Sequence, residues 1–409
     1  MNSKDPIGII ELGNLNIRCV IFGINNNNVE ILSTSITPSE GIHNDVVVNL
    51  TKASKAIRSC ISTAEEKAKI LLKKINVVFE QPDFLCTKFS KNKKINGSII
   101  QKGDIEFLLK EAKKQLVLND NKQSIIHIFN YNYIVDGKTF VEEPIGVYAD
   151  SLTHEITFIS TPKNNLKNIN QVFIDCDIEI ARLISRTFAL GVKLLSHKEL
   201  EFGSAILDLG FEKISFGLFK SLALVHSITF PIGINHITKD ISKVCSLNLD
   251  ESENIRNNID FSYQNSQKLF DENNYLKSIY FINSSFRKIS KNLILSVVKA
   301  RLDEIFDTLK KQLIVPGFNL TSEINLLLAG GGSNLFNIEK CFINFFGPNV
   351  KRVDKNSVEK DKDLEKNLAS CLGALEIIKD GWETEAIPET VGKNIEKTSF
   401  FAKIFKINK

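Results

Sequence analysis

The 409-residue chain has no Cys-x-x-Cys pair, no His-x-x-x-His pair, no G-x-S-x-G elbow and no P-loop. Each absence closes a class. Without paired ligands at metal spacing, neither a zinc fold nor a histidine-bound metal is expected. The seven cysteines stand apart at 19, 60, 86, 176, 245, 341 and 371, an odd number. They predict a reducing compartment in which thiols pack as small core residues. No apolar run approaches the roughly 18–20 residues needed to cross a bilayer. The first residues also lack the basic, apolar, small-residue order of a signal peptide. A cytosolic protein is expected unless its ends attach it elsewhere. The net charge of +4 is too mild to imply nucleic acid. Hydrophobic content of 43% and charged content of 24% are those of an ordinary soluble globular protein. The length allows two or more packed domains, and the abundance of Lys, Ile and Asn reads as genomic base composition.

What the sequence does hold is organised around Leu326-Leu-Leu-Ala-Gly-Gly-Gly-Ser-Asn-Leu335. An apolar strand ends there in three glycines and Ser333, with a helical segment following. Glycines let the backbone approach a ligand closely, and the next helix offers free N–H groups to an anion or polar edge. Taken alone, the pattern serves equally as a tight crossover. Its meaning depends on a repeat elsewhere. Residues 6–13 read as a strand and turn, 17–23 as the hairpin partner and 29–34 as a third strand. An amphipathic helix over 50–74 follows, with Ala53, Ile57, Ile61, Ala64, Ala68, Leu71 and Leu72 on its apolar side, then a strand at 77–79. The opening returns later: Ser204-Ala-Ile-Leu-Asp-Leu-Gly210 resembles Gly8-Ile-Ile-Glu-Leu-Gly13, with a partner strand at 214–219 and a third at 222–230. Two copies of one unit imply an internal duplication.

Between the copies the character changes. Residues 83–161 read as an inserted α+β module, with a helix around Asp104–Ala112 and strands at 125–129 and 155–159. A helix is expected through Ile180-Ala-Arg-Leu-Ile184. Beyond the second copy come helices at 234–244 and 250–258, then a polar, irregular surface segment at 262–283. A long helix over 286–313 places Ile289, Leu293, Val297, Ala300, Leu302, Ile305 and Leu309 near one side. Helices at 338–346 and 368–379 follow, and the charge run 361–365 reads as a solvated loop. The expected organisation is a first-lobe half-domain at 1–83, the insertion at 84–161 and the first lobe continued at 162–199. The second lobe takes 200–365, a closing helix of the first lobe 366–383, a linker 384–396 and a terminal helix 397–409. In that last helix Phe400, Phe401, Ile404, Phe405 and Ile407 share one arc, and Lys403, Lys406 and Lys409 the other. This is a short basic amphipathic helix suited to a membrane surface. Apolar burial adds about 0.8 kcal/mol per CH₂ and each lysine at an anionic leaflet about 1 kcal/mol. Binding is therefore expected to be weak, and multiplied by avidity if the chain polymerises.

The duplicated strand–Asp/Glu–Leu–Gly units and the late Gly-Gly-Gly-Ser resemble the actin-like nucleotide-binding layout. The fold class so implied is α/β: an actin-like (ribonuclease H-like, duplicated) two-lobed fold with a small inserted α+β subdomain and a C-terminal amphipathic helix. Within that superfamily the chain resembles the FtsA family of bacterial cell-division proteins. The position of the insertion, Glu142-Glu-Pro-Ile-Gly146 against the family's Asn-Pro-x-Gly, Arg301-Leu-Asp-Glu304 against its Arg-x-x-Glu, and the basic tail carry the likeness. The resemblance implies an adaptor that binds the FtsZ C-terminal peptide, anionic inner-membrane lipids, other divisome proteins and further copies of itself. It would sit peripherally on the cytoplasmic side of the inner membrane at the division site. ATP with Mg is the implied cofactor. Gly13, Asn14, Asp208, Gly210, Glu253, Arg256, Gly330, Gly331, Gly332 and Ser333 stand at its implied contacts, and Phe400, Phe401, Lys403, Ile404, Phe405, Lys406, Ile407 and Lys409 at the membrane. Two departures put catalysis in doubt, so no enzyme is expected. Asn14-Leu15-Asn16 lacks the family's hydroxyl and lysine after the first turn. In the second turn Phe211 and Glu212 replace glycines, with Lys213 a partial compensation. At about 4 Å, Glu212 and a phosphate would repel by on the order of 1–4 kcal/mol. The alternatives are a PilM-like pilus-assembly adaptor and an actin-fold phosphotransferase.

Overall fold

The structure is a computed structural model that describes residues 4–25, 28–140, 144–263, 268–313, 324–353 and 367–380. The linker 384–396, the basic tail 397–409, the charge run 361–365 and Glu142 and Glu143 lie outside the described residues. The chain divides into two compact units. One holds the described residues of 1–203, 217–229 and 357–409, and the other those of 204–216 and 230–356.

In the first unit, β1 (Lys4–Glu11), β2 (Asn16–Asn25) and β3 (Asn28–Pro38) form an antiparallel meander. A two-residue turn at Asn44-Asp45, both with positive φ, joins the short strands β4 (Ile42–His43) and β5 (Val46–Val47). Asn and Asp tolerate that conformation, which suits a tight hairpin. Helix α1 (Leu50–Ala68) is capped by Asn49, which accepts from the Lys52 N–H. It ends six residues before the expected Lys74, because Lys69 turns left-handed and Leu71 is exposed. β6 (Lys74–Phe79) then runs parallel to β1.

The inserted module follows. β7 (Leu85–Ile99), α2 (Lys102–Asn119), β8 (Gln123–Val135), β9 (Lys138–Phe140) and β10 (Tyr148–Pro162) make an antiparallel sheet in the order β7-β10-β8-β9. Ile105, Leu108, Leu109 and Ala112 of α2 pack on Ile95, Leu152, Ile156 and Phe158 of the sheet. β7 gives no clear alternation in the sequence. It is an edge strand of 15 residues that buries only Phe89 and Ile95, with lysines between. Charged edges of this kind resist pairing with another chain.

The chain returns through α3 (Lys163–Asp175), β11 (Glu179–Ser185), α4 (Arg186–Leu194) and α5 (His197–Phe202). Residues 180–184 are therefore strand, not the expected helix. Ile180, Leu183 and Ile184 are buried beside β6 in a parallel pair, and sheet pairing overrides their mixed spacing. The second copy is β12 (Ser204–Leu209), β13 (Ile214–Lys220) and β14 (Ala223–Phe230). After it come α6 (Asn235–Cys245), α7 (Leu249–Asn258), α8 (Lys291–Gln312), β15 (Asn325–Ala329), α9 (Ile338–Phe346), β16 (Val350–Arg352) and α10 (Ala369–Asp380). The two large sheets have matching orders, β3-β2-β1-β6-β11 and β14-β13-β12-β15-β16. In each, an antiparallel meander is extended by two parallel strands reached through helices, so the fold is an internal duplication. Every residue of β12 is buried, as expected of a central strand covered on both faces.

One further boundary shifts. α8 starts at Lys291 with Ser290 as its cap, and its buried line is Ile294, Val298, Leu302, Ile305 and Leu309. Leu293 and Ala300, expected on the apolar side, are exposed. The segment after α7 is irregular, yet Leu269, Phe270, Leu276 and Tyr280 are buried in it.

Candidate functional site

The duplicated turns share one geometry. A Cβ on Gly13 would lie 2.6 Å from the Asn16 carbonyl, and a Cβ on Gly210 would lie 2.6 Å from the Lys213 carbonyl. The Gly210 N–H donates to that carbonyl at 3.0 Å. Both glycines are required because the chain folds back on itself three residues later.

In the first unit the turn's acid is held from three elements. Glu11 is 1% exposed and stands directly across the hairpin from Arg18. Its Oε1 accepts from Arg186 Nη1 at 2.5 Å and lies 3.5 Å from Arg18 Nη1. Its Oε2 accepts from Ser370 Oγ of α10 at 2.8 Å. The cation missing from 14–16 is thus present on the return strand as Arg18, and a second comes from the first residue of α4. Asn14 uses both ends of its amide locally. Nδ2 donates to Asn44 and Oδ1 accepts the Asp45 N–H, each at 3.2 Å.

A buried polar network continues along the carboxyl ends of β6 and β11. Asp45 accepts the Glu80 N–H at 2.9 Å, and Glu80 accepts from Ser185 Oγ at 2.7 Å and the Thr187 N–H at 2.9 Å. The Ser185 N–H donates to His127 Nε2 at 2.9 Å. Burial pushes His127 down to about 3, which keeps it neutral as the acceptor. None of these residues carried a signal in the sequence, because the partners are far apart along it.

In the second unit Asp208 is buried at the end of β12, and its Oδ1 lies 2.1 Å from where a Cβ on Gly330 would be. Gly330 also has φ +78°, so only glycine fits there without strain. A Cβ on Gly332 would meet Ile234 at 2.7 Å and Leu209 at 2.8 Å, whereas one on Gly331 would meet nothing within 4 Å. Ser333 Oγ donates to the Gly330 carbonyl at 2.7 Å. Of the four residues expected to cradle a ligand, three hold the strand end to its neighbours. Gly331 alone presents open backbone.

The turn 210–213 is fastened to the start of α6. The Ile234 and Asn235 N–H groups donate to the Gly210 and Phe211 carbonyls at 3.1 and 2.8 Å. Glu212 accepts from Asn235 Nδ2 at 2.8 Å and Lys239 Nζ at 2.9 Å. Burial opposes its ionisation, but these bonds and the neighbouring Lys239 and His236 hold its carboxyl below the usual range. Lys213 is buried as a whole. Glu253 and Arg256 do form the expected pair, at 2.8 Å. Arg256 is 3% exposed and also donates to Thr238 at 2.7 Å and to Asn257. Ile234, the cap residue of α6, and Thr238 lie one turn apart, so the glycine loop and Arg256 flank the same side of that helix. Arg301 pairs with Glu304 and makes two bonds to Asp240. Among the described residues, no group of three or more His, Cys, Asp or Glu is arranged to hold a metal.

The family models and the curated relatives agree on one family. The model for the SHS2 domain inserted in FTSA matches residues 85–160, and the model for cell division protein FtsA matches residues 205–373. Cell division protein FtsA of Agrobacterium fabrum is 21% identical over 360 residues, covering 84% of this chain and 80% of that protein. Its counterpart in Buchnera aphidicola subsp. Acyrthosiphon pisum is 23% identical over 391 residues, covering 93% and 90%. Among solved structures, the PilM-PilN type IV pilus biogenesis complex is similar in fold, with a TM-score of 0.64 at 13% identity over 90% of this chain and 98% of that one.

Proposed function

The chain belongs to the FtsA family of cell-division proteins, and on that premise we propose that it tethers FtsZ filaments to the cytoplasmic face of the inner membrane at the division site. The family matches, which cover the insertion and the second copy separately, carry the reading. The basic amphipathic sequence at 397–409 supports a peripheral attachment, with Phe400, Phe401, Ile404, Phe405 and Ile407 entering the interface and Lys403, Lys406 and Lys409 meeting anionic headgroups. Among the described residues no helix is long and apolar enough to cross a membrane. Self-association would raise the avidity of such a short anchor.

By family resemblance the FtsZ contact belongs within 222–310. The exposed apolar side chains there concentrate on one segment: Ile279, Ile282 and Phe286 are 70%, 65% and 62% exposed. The Phe286 ring packs edge-on against Phe281 at 5.2 Å. Arg287 donates to the carbonyls of Cys245 and Ser246, which brings exposed Val244 and Leu249 alongside. Arg287, Lys288 and Lys277 supply a basic rim to this apolar centre. An apolar centre with a basic rim suits a peptide bearing apolar side chains and carboxylates, and we assign the FtsZ C-terminal peptide to it. Ile282→Asp is expected to weaken binding of that peptide about tenfold or more, equivalent to about 1.4 kcal/mol, with the melting temperature unchanged. Fluorescence anisotropy measures it, and undiminished binding by a folded variant would remove this surface from the account.

The likeness to the PilM-PilN complex is one of fold, and no observation on the chain favours a pilus partner. A phosphotransferase reading gains no support from turns whose donors and acids are engaged within each unit.

A further inference from the structure

We propose that this chain works without a magnesium nucleotide, its own side chains having taken the positions that the family resemblance gives to the metal and the phosphates. The residues at the two turns do not fit the group. In the first unit, a cation brought to the turn would have Glu11 as its nearest acid. That carboxylate already carries Arg186, Arg18 and Ser370, with the Arg186 contact at 2.5 Å. A guanidinium is a permanent cation with fixed donors, so it neutralises the acid at every metal concentration. The amide of Asn14, at the position where the family carries a hydroxyl, is closed onto Asn44 and Asp45.

In the second unit, phosphate binding would call on backbone N–H groups of the turn and of the helix beside it. The first N–H groups of α6 are bonded to the carbonyls of Gly210 and Phe211, and the Gly210 N–H to that of Lys213. The side-chain donors at the same helix end, Asn235 and Lys239, hold the carboxylate of Glu212. An anion is therefore present already, and it is covalently part of the chain. A phosphate brought to this turn would meet a like charge and find these donors engaged. The glycines do not offset this. Gly13 and Gly210 are required by the chain's own fold-back, and Gly330 and Gly332 by contacts with Asp208, Leu209 and Ile234. Gly331 is the exception, and one open residue gives a ligand no orientation.

This inference is independent of tethering, since vesicle and FtsZ-peptide binding could succeed or fail without changing it. The test uses the full chain in equilibrium dialysis against ATP and ADP at millimolar concentration, with and without Mg²⁺. Thermal unfolding of the unaltered chain and of Glu11→Gln is followed under the same conditions. The expected result is no saturable uptake of either nucleotide and no shift in the unfolding temperature. Glu11→Gln is expected to unfold several degrees lower, by the same amount with and without nucleotide. Saturable uptake by the unaltered chain, with or without Mg²⁺, overturns the proposal. So does an unchanged unfolding temperature in Glu11→Gln, because the acid would then not be a structural partner of Arg186.

Discussion

Glu251 caps α7 and also accepts the backbone N–H groups of Ile282, Asn283 and Ser284, together with the Ser284 hydroxyl. One carboxylate thereby fixes the segment that carries Ile279, Ile282 and Phe286. Burial raises the cost of its charge, but the hydrogen bonds from Ser284, Asn283 and Asn248 outweigh that and push its pKa down to about 2. The unfolded chain titrates such a group near 4.3. Its stabilisation is thus complete above that value and is lost as pH falls toward 2. Bonds to a charged acceptor are worth roughly 1.5–3 kcal/mol each. Glu251→Gln, which keeps the shape and one acceptor oxygen, is expected to lower stability at neutral pH by about 2 kcal/mol. The difference from the unaltered chain should shrink below pH 4. Urea unfolding at two pH values measures both, and a pH-independent difference would show that the charge is not the cause.

Residues of this kind were not legible beforehand. In the sequence Glu251 reads as an ordinary capping acid of a first helical turn, since Ile282, Asn283 and Ser284, which it also holds, are over 30 positions away. Glu11 was singled out for its place in a repeat, but nothing near it pointed to Arg186 or Ser370, 175 and 359 residues on. Arg18 could have been found. It stands on the return strand, where a hairpin brings residues equidistant from the turn face to face.

At the scale of elements, periodicity served where one face alone is buried and failed elsewhere. α1 and α9 were readable because their apolar stripes are regular. β11 was not, because a register irregularity between Ile180 and Arg182 breaks its alternation. β7 was missed for the opposite reason, with two buried residues in 15. The glycine loop after β15 was legible as a feature, though not in its division of labour. Gly330→Ala would force a side chain into the left-handed region and into Asp208, and is expected to cost about 2–4 kcal/mol. Gly331→Ala meets nothing and should change stability by less than about 0.5 kcal/mol. Thermal unfolding of the two variants checks the contrast, and equal effects would contradict it.

For the whole molecule the duplication was the strongest signal. Strand, acid, leucine and glycine recur 197 positions apart, from Glu11 to Asp208, and the two sheets repeat one order. That pattern led to the fold, and the insertion and the second copy then matched their family models over 85–160 and 205–373. The tethering we propose would add two attachments to this frame, one on the segment fixed by Glu251 and one on the terminal basic sequence. The most direct measurement is a three-part sedimentation of anionic vesicles, a labelled FtsZ C-terminal peptide and the chain. The peptide should pellet with the vesicles only when the full chain is present. It should stay in the supernatant, still bound to protein, when Phe400–Lys409 are removed. A truncated chain that carries the peptide down with the vesicles as well as the full chain does would contradict the account.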